Sequence, residues 1–179
     1  MELGAVVLAE AYADDPLMTY FWPNAERRGK ALPLFWEARI AARAETGMVD
    51  VALDEDRNVV SVALWEPVGV ISPIAKHFTL VRALRSSLPR ALAVSHRMEE
   101  ARPATPHLYL AAVGTRPDAQ RKGFATSLLE QRLATSAEPC FLIANAKTTM
   151  PFYDRFGFHP EPELPLDHGP VLYPMRLAR

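Results

Sequence analysis

The feature that most constrains this chain is the junction at residues 113–133, "VGTRPDAQRKGFATSLLEQRL", where an apolar run stops, a charged loop intervenes and an amphipathic helix begins. The run leading into it, "HLYLAAVGT", is apolar at nearly every position, the pattern of a strand buried on both faces near the centre of a sheet. A strand that feeds a turn and then a helix leaves several backbone N–H groups unpaired at the helix start, beside the positive end of the helix dipole. The junction is therefore a ready anion site, with phosphate the natural guest. Gly123 lets a ligand approach the backbone, Ala125 keeps the wall low, and Arg121 and Lys122 add charge beside it.

Two familiar phosphate loops fail here. A Walker loop needs Gly-Lys-Ser/Thr in that order, whereas Lys122 precedes Gly123, and no earlier glycine stands at the required spacing. A dinucleotide loop needs three glycines within six residues in an early strand-helix-strand unit, and neither is present. A solvated, well-capped helix start would explain the same residues without any ligand. The rest of the chain decides between the two.

The spacing of Val6, Val7, Leu8, Ala11 and Tyr12 predicts an opening helix that stops at Asp14-Asp15-Pro16. A second helical pattern follows "LMTYFWPN". It places Leu32, Phe35, Trp36 and Ile40 on one side and Arg39 and Arg43 on a more exposed one, with Gly47 at its end and Pro33 implying a late start or a kink. The β-branched runs "MVDVAL" and "VVSVALWE", separated by "DEDRN", read as an antiparallel hairpin. Ser72-Pro73 reads as a helix start for "IAKHFTLVRALRSS", and a further helix runs through "RALAVSHRMEEA". After the central strand and its loop come a buried strand "CFLIANA", a short helix "TTMPFYDRF" ending at Gly157, a proline-rich edge "FHPEPELPL" and a last strand "PVLYPMRL".

Composition removes several function classes. With 20 basic against 21 acidic residues there is no global field to recruit nucleic acid or an anionic membrane, so neither is expected as a partner. The single cysteine, Cys140, forbids an internal disulfide, and its apolar setting suits a buried thiol rather than a nucleophile. Without a basic leader or a run of about 18 apolar residues the reading is a cytoplasmic protein. His77, His96, His107, His159 and His168 show no paired spacing, so no metal is expected, and Asp167-His168 has no nucleophile-elbow serine to join.

The strand "HLYLAAVGT", the loop "QRKGFA" in the pattern Gln/Arg-x-x-Gly-x-Gly/Ala, the strand "FLIANA" and the helix "PFYDRFGF", in that order and spacing, resemble the GNAT superfamily of acetyl-CoA-dependent acetyltransferases. Within it, "ALWEP", "YLAAVGTRPDAQRKG" and "MPFYDRFGF" look most like puromycin N-acetyltransferase and its relatives. The resemblance implies an α/β (α+β) GNAT fold: a central mixed, mostly antiparallel, splayed sheet flanked by helices. The family's first strand looks missing or very short, because Met1 begins almost directly in a helix. One domain, 1–179, is expected, with 1–106 on the acceptor side and 107–179 as the acetyl-CoA-binding half.

The resemblance also implies roles. The loop amides of Lys122, Gly123, Phe124, Ala125 and Thr126 would hold the coenzyme pyrophosphate, with Arg121 beside them. The pantetheine arm would run along Ala112, Val113 and Thr115, with Thr149 and Phe152 also toward the coenzyme. An N–H near Val113 would polarise the thioester carbonyl, and Tyr153 would protonate the departing thiolate. Its alternative role is packing beside Phe152 and Phe156. Glu66 and His107 are the candidate bases for the ammonium of the acceptor. Puromycin-type enzymes usually carry an acid where Ile143 stands and an asparagine where Thr149 stands. Tyr20, Phe21, Trp22, Trp36, Trp65 and Phe78, with Glu66, Glu99 or Glu100 nearby, would line an acceptor cleft for an aromatic or hydrophobic amine. The expected activity is acetylation of a small-molecule amine, such as an antibiotic or xenobiotic, by a monomer or homodimer. A silent acyl-CoA-binding module and a protein-amine acetyltransferase are the alternatives.

Overall fold

The computed structural model describes residues 2–46, 48–69 and 76–179. The expected helix stop at Gly47 and helix start at Ser72-Pro73 lie outside the described residues. The chain opens with α1 (Glu2–Ala11), α2 (Pro16–Phe21) and α3 (Ala25–Ala44), then the hairpin β1 (Val49–Leu53) and β2 (Val59–Glu66). Next come α4 (His77–Leu84) and α5 (Leu88–Glu100), joined by a 3-10 turn at Arg85–Ser87. The second half holds β3 (Leu108–Thr115), α6 (Phe124–Thr135), β4 (Cys140–Ala144), α7 (Met150–Asp154), β5 (His159–Pro160), β6 (Leu164–Pro165) and β7 (Val171–Leu177).

The seven strands form a sheet in the order β1-β2-β3-β4-β7-β5, with β6 also pairing with β7. Every pairing is antiparallel except β3 with β4. This is the mostly antiparallel GNAT sheet that the sequence implies, and among the described residues no strand precedes α1.

Two irregularities open the sheet at its centre. The parallel pairing of β3 and β4 extends only from Leu108↔Cys140 to Leu110↔Leu142, although β3 runs on to Thr115. In the same stretch the β2–β3 register slips, with Leu64 opposite Ala112 but Trp65 opposite Leu110, so that Ala111 is the extra residue of a bulge. A bulge turns the strand locally and ends regular pairing, which exposes backbone between β3 and β4.

Each face of the sheet carries its own core. One gathers Leu8, Trp36, Ile40, Val62, Leu64 and Leu172 under α1 to α3. The other packs Leu128, Leu129 and Leu133 of α6 onto Ala63, Trp65, Leu110, Leu142 and Phe158. Helix α1 reaches the central strand because Gly114 has no side chain there: a Cβ would lie 2.8 Å from the Ala11 Cβ and 2.9 Å from Leu8 Cδ2.

Several local expectations change. Asp14-Asp15-Pro16 ends α1 but also starts α2, since the Asp15 carboxylate accepts from the Leu17 and Met18 amides at 2.9 and 3.0 Å and Pro16 occupies the first turn. Helix α3 begins eight residues ahead of Pro33 and runs through it, held at its start by Asn24, which accepts from the Arg27 amide. Arg43 is not on an exposed side: its side chain is fully buried, because Glu66 on β2 supplies the counter-charge. No helix among the described residues is long and apolar enough to cross a membrane.

Candidate active site

A cavity of about 1480 Å³ follows β3 from Tyr109 to Thr115, walled by α1 to α5 on one side and by α6, β4 and α7 on the other. Pockets for one small ligand usually measure about 300–1,000 Å³, so there is room for two molecules end to end.

One end is the loop after β3. Arg116 is clamped to Asp118 by two hydrogen bonds, and a 3-10 turn at Pro117–Ala119 leads into Arg121 and Gly123, both with positive φ (63° and 87°). The first helical bond of α6 runs from the Ser127 amide to the Gly123 carbonyl at 2.9 Å. The six amides of residues 121–126 have no acceptor among the described residues. Gly123 adds no bulk: nothing lies within 4 Å of where its Cβ would be. Unpaired N–H groups around an open backbone position at a helix start are what a pyrophosphate requires. All the residues expected at the coenzyme line the cavity except Lys122.

Midway, where β3 and β4 part, four polar groups face the cavity. The Tyr12 hydroxyl donates to the Val113 carbonyl at 3.1 Å and accepts from its amide at 3.3 Å. Asp15 accepts from both sides of its carboxylate from Asn145 Nδ2, at 3.1 and 3.0 Å, in addition to capping α2. Burial raises its carboxyl above the ordinary value, against the lowering effect of those hydrogen bonds. Tyr153, on α7, has no hydrogen-bond partner among the described residues; its ring meets Phe152 and Phe158 edge-on. Burial first, and the nearby Asp15 charge second, hold its phenol well above the ordinary value, so it stays protonated. Tyr12 is raised for the same leading reason, with Tyr153 and Asp15 adding to it.

The far end is an ionic network. Glu66 accepts from Arg43 on one oxygen and from Arg102 Nη1 on the other at 2.8 Å, and Arg102 also reaches Glu99 at 3.2 Å. Arg43 is pulled down to about 9, chiefly by burial and then by the Arg39 charge. Arg102 lies 4.2 Å over the Tyr109 ring. His107 is turned away: Arg102 Nε donates to its Nε2 at 3.4 Å, so its Nδ1 carries the proton donated to the Thr105 carbonyl at 2.8 Å. It does not line the cavity.

Of the aromatics expected in an acceptor cleft, Phe21 and Trp36 line the cavity, joined by Phe35. Trp22 and Trp65 are core residues, 1% and 0% exposed, while Phe78 is 93% exposed and, like Tyr20 and Glu100, does not line it. Helical spacing alone does not tell which side of an aromatic-rich helix meets a cavity and which meets the sheet. Sequence reasoning does not single out Tyr12, Asp15 or Asn145 as site residues; the Asp15-Pro16 helix start is the only local signal. Ile143 and Thr149 both line the cavity, and the Thr149 hydroxyl donates to the Ala146 carbonyl at 2.8 Å. Among the described residues no group of three potential ligands could hold a metal ion.

Residues 93–179 match the acetyltransferase (GNAT) domain family. The structure resembles a Corynebacterium glutamicum protein described as "histone acetyltransferase HPA2 and related acetyltransferase", with a TM-score of 0.74, 26% identity and coverage of 97% of this chain and 87% of that one. It shares its fold with arylalkylamine N-acetyltransferase 2 of Aedes aegypti (TM-score 0.64, 14% identity, 97% and 93% covered). The same holds for a polyamine N-acetyltransferase of Drosophila melanogaster (TM-score 0.57, 16% identity, 98% and 93% covered). Residues 93–179 thus match the GNAT acetyltransferase domain family, and along nearly the whole chain the fold is that of these acetyltransferases.

Proposed function

We propose that this protein is an N-acetyltransferase that moves an acetyl group from acetyl-CoA to the amine of a small molecule. The observation that carries the reading is the alignment of three groups along one cavity: six unpaired amides at residues 121–126, the Val113 amide where β3 leaves β4, and the Tyr153 phenol beside that opening. The amides would cradle the coenzyme pyrophosphate. The exposed edge of residues 112–115 would pair with its pantetheine arm.

In this reading the coenzyme supplies an acetyl thioester, and the chain does the rest. The Val113 N–H is held only by a 3.3 Å bond to Tyr12, longer than an ordinary amide bond, and is easily transferred to the thioester oxygen, where it stabilises developing charge. Asp15 receives the proton that the acceptor ammonium must lose; burial raises its basicity above that of a surface carboxylate. As the new C–N bond forms and the C–S bond breaks, Tyr153 donates its proton to the sulfur, and the second proton that the amine nitrogen releases on becoming an amide restores the phenol. Glu66 is better suited to holding Arg43 and Arg102 in place than to accepting a proton, since its two oxygens are held by guanidinium cations, whereas those of Asp15 are held by neutral N–H donors.

The acceptor half falls in 1–106 and the coenzyme half in 107–179. The wall of Phe21, Phe35, Trp36, Leu84 and Met98 fits an amine with an apolar body, as in an aromatic xenobiotic or antibiotic of the puromycin type. Arylalkylamine and polyamine acetyltransferases share this fold, as does the protein described as a histone acetyltransferase and related acetyltransferase, so the choice of a small acceptor rests on the apolar wall.

Two measurements test this. Acetyl-CoA at a hundredfold excess over its Kd should stabilise the protein by about 2.7 kcal/mol, and Gly123→Glu should remove the shift by placing bulk and negative charge in the pyrophosphate space. Thiol release across a panel of amines should then identify turnover. No shift at millimolar acetyl-CoA refutes coenzyme binding. A shift without turnover on any amine or peptide indicates a silent binding module, which Ile143 and Thr149 would then explain.

A further inference from the structure

At the acceptor end of the cavity one guanidinium is left without a carboxylate among the described residues. Arg39 and Arg102 line it with Glu66 and Glu99; Glu66 is taken up by Arg102 and by the fully buried Arg43 behind it, and Glu99 by Arg102. Arg39 lines the cavity, yet its guanidinium makes no hydrogen bond or ion pair with any described residue. It also lies close enough to Arg43 to disfavour the charge on that residue. A half-buried guanidinium that lines an apolar-walled cavity and has no carboxylate of its own among the described residues is placed to receive an anion.

A second donor faces the same end. Tyr109 is 6% exposed, lines the cavity, and is fixed by Arg102 over one face of its ring and by Phe141 stacked nearby. Its hydroxyl has no hydrogen-bond partner among the described residues, and burial keeps the phenol protonated as a neutral donor. A planar guanidinium and a phenol O–H with free donor capacity form a carboxylate receptor, because both donate and neither accepts the negative charge.

We infer that the acceptor is an amine whose remote end carries a carboxylate, bound by Arg39 and Tyr109. The inference rests on the acetyltransferase reading for the position of the amine. Tyr109 and Val113 are four residues apart on β3, about 13 Å of regular strand and somewhat less across the Ala111 bulge between them. An α-amino acid, whose amine and carboxylate share one carbon, is too short. The fitting class is an ω-amino carboxylate with an apolar or aromatic spacer, laid along Trp36, which stands one turn before Arg39 on α3 and touches Tyr12 at a ring distance of 4.7 Å.

The test compares 4-(2-aminoethyl)benzoate with its uncharged analogue 4-(2-aminoethyl)benzamide in wild type, Arg39→Gln, Arg39→Lys and Tyr109→Phe. Wild type should favour the benzoate in kcat/KM by about 10- to 100-fold, the range for hydrogen bonds to a charged group. Arg39→Gln should bring the ratio close to one, chiefly through KM, while Arg39→Lys keeps part of it and Tyr109→Phe lowers it severalfold. Melting temperatures check that each variant is folded. Turnover of amines with no preference for the benzoate, or a preference that survives Arg39→Gln, overturns the inference while leaving the acetyltransferase reading in place. If nothing is turned over, calorimetry with the products 4-(2-acetamidoethyl)benzoate and its benzamide, in the presence of coenzyme A, separates the two ideas. Arg39-dependent preference for the benzoate then upholds the anion receptor and refutes the catalytic reading; equal affinities overturn the receptor.

Discussion

Replacing Glu66 by glutamine separates a positioning role from a base role. The carboxylate lies between the fully buried Arg43 and the largely buried Arg102, whose side chain is 12% exposed. Removing one partner of a buried ion pair usually costs about 3–5 kcal/mol. Arg43 keeps its bond to the Arg39 carbonyl at 3.0 Å, and Arg102 keeps Glu99, so the lower end, about 3 kcal/mol, is expected. At 2–4 °C per kcal/mol for a chain of this size, the melting temperature should fall by roughly 6–12 °C. The pH dependence has a definite sign. Arg43 in the folded wild type sits at about 9, below its ordinary 12.5, so the native state binds fewer protons and stability rises with pH through that window. Without Glu66 that value falls further, and Glu66→Gln should regain stability already as pH rises from 7 toward 9. Exchanging the pair together, Arg43→Met with Glu66→Leu, should recover much of the loss. Thermal and urea unfolding measure the stability, and kcat/KM well below the melting temperature measures the chemistry, with a loss under about tenfold expected. A hundredfold loss of kcat with an unchanged melting temperature would refute the positioning role and return Glu66 to the place of base.

Tyr153→Phe keeps the ring contacts with Phe152 and Phe158 and deletes only the donor, so kcat should fall about 10²-fold with coenzyme affinity and melting temperature little changed; near wild-type kcat with chemistry rate-limiting would assign Tyr153 to packing. Asp15→Asn retains the helix cap but not the base, and should lower kcat/KM and abolish its acidic limb. Because the folded-state Asp15 value is raised, its stabilising contribution is present below about 3.9 and lost as pH rises through the folded value, so the variant should show a flatter stability profile there. Gly114→Val would drive its side chain into Ala11 and Leu8, costing roughly 1–3 kcal/mol and loosening Tyr12 from Val113; chemical denaturation checks the first effect and acetyl-CoA affinity the second.

The anion loop is legible in the amino-acid sequence because its ligand-facing groups belong to the backbone. A strand, a left-handed glycine at Gly123 and a helix start determine where six amides point, whatever the rest of the chain does. The hairpin, the central strand and the helix after "QRKG" are legible for a related reason: each is a local pattern of apolar spacing and turn residues. What the tertiary structure alone decides is which distant side chains meet. Tyr12 finds Val113 across 101 residues, Asn145 finds Asp15 across 130, and Arg43 and Arg102 close on Glu66 across 23 and 36. No periodicity encodes those partners. Arg39 and Arg43 lie one turn apart on the same helix, and only the position of Glu66 on β2 leaves one guanidinium neutralised and the other open to the cavity.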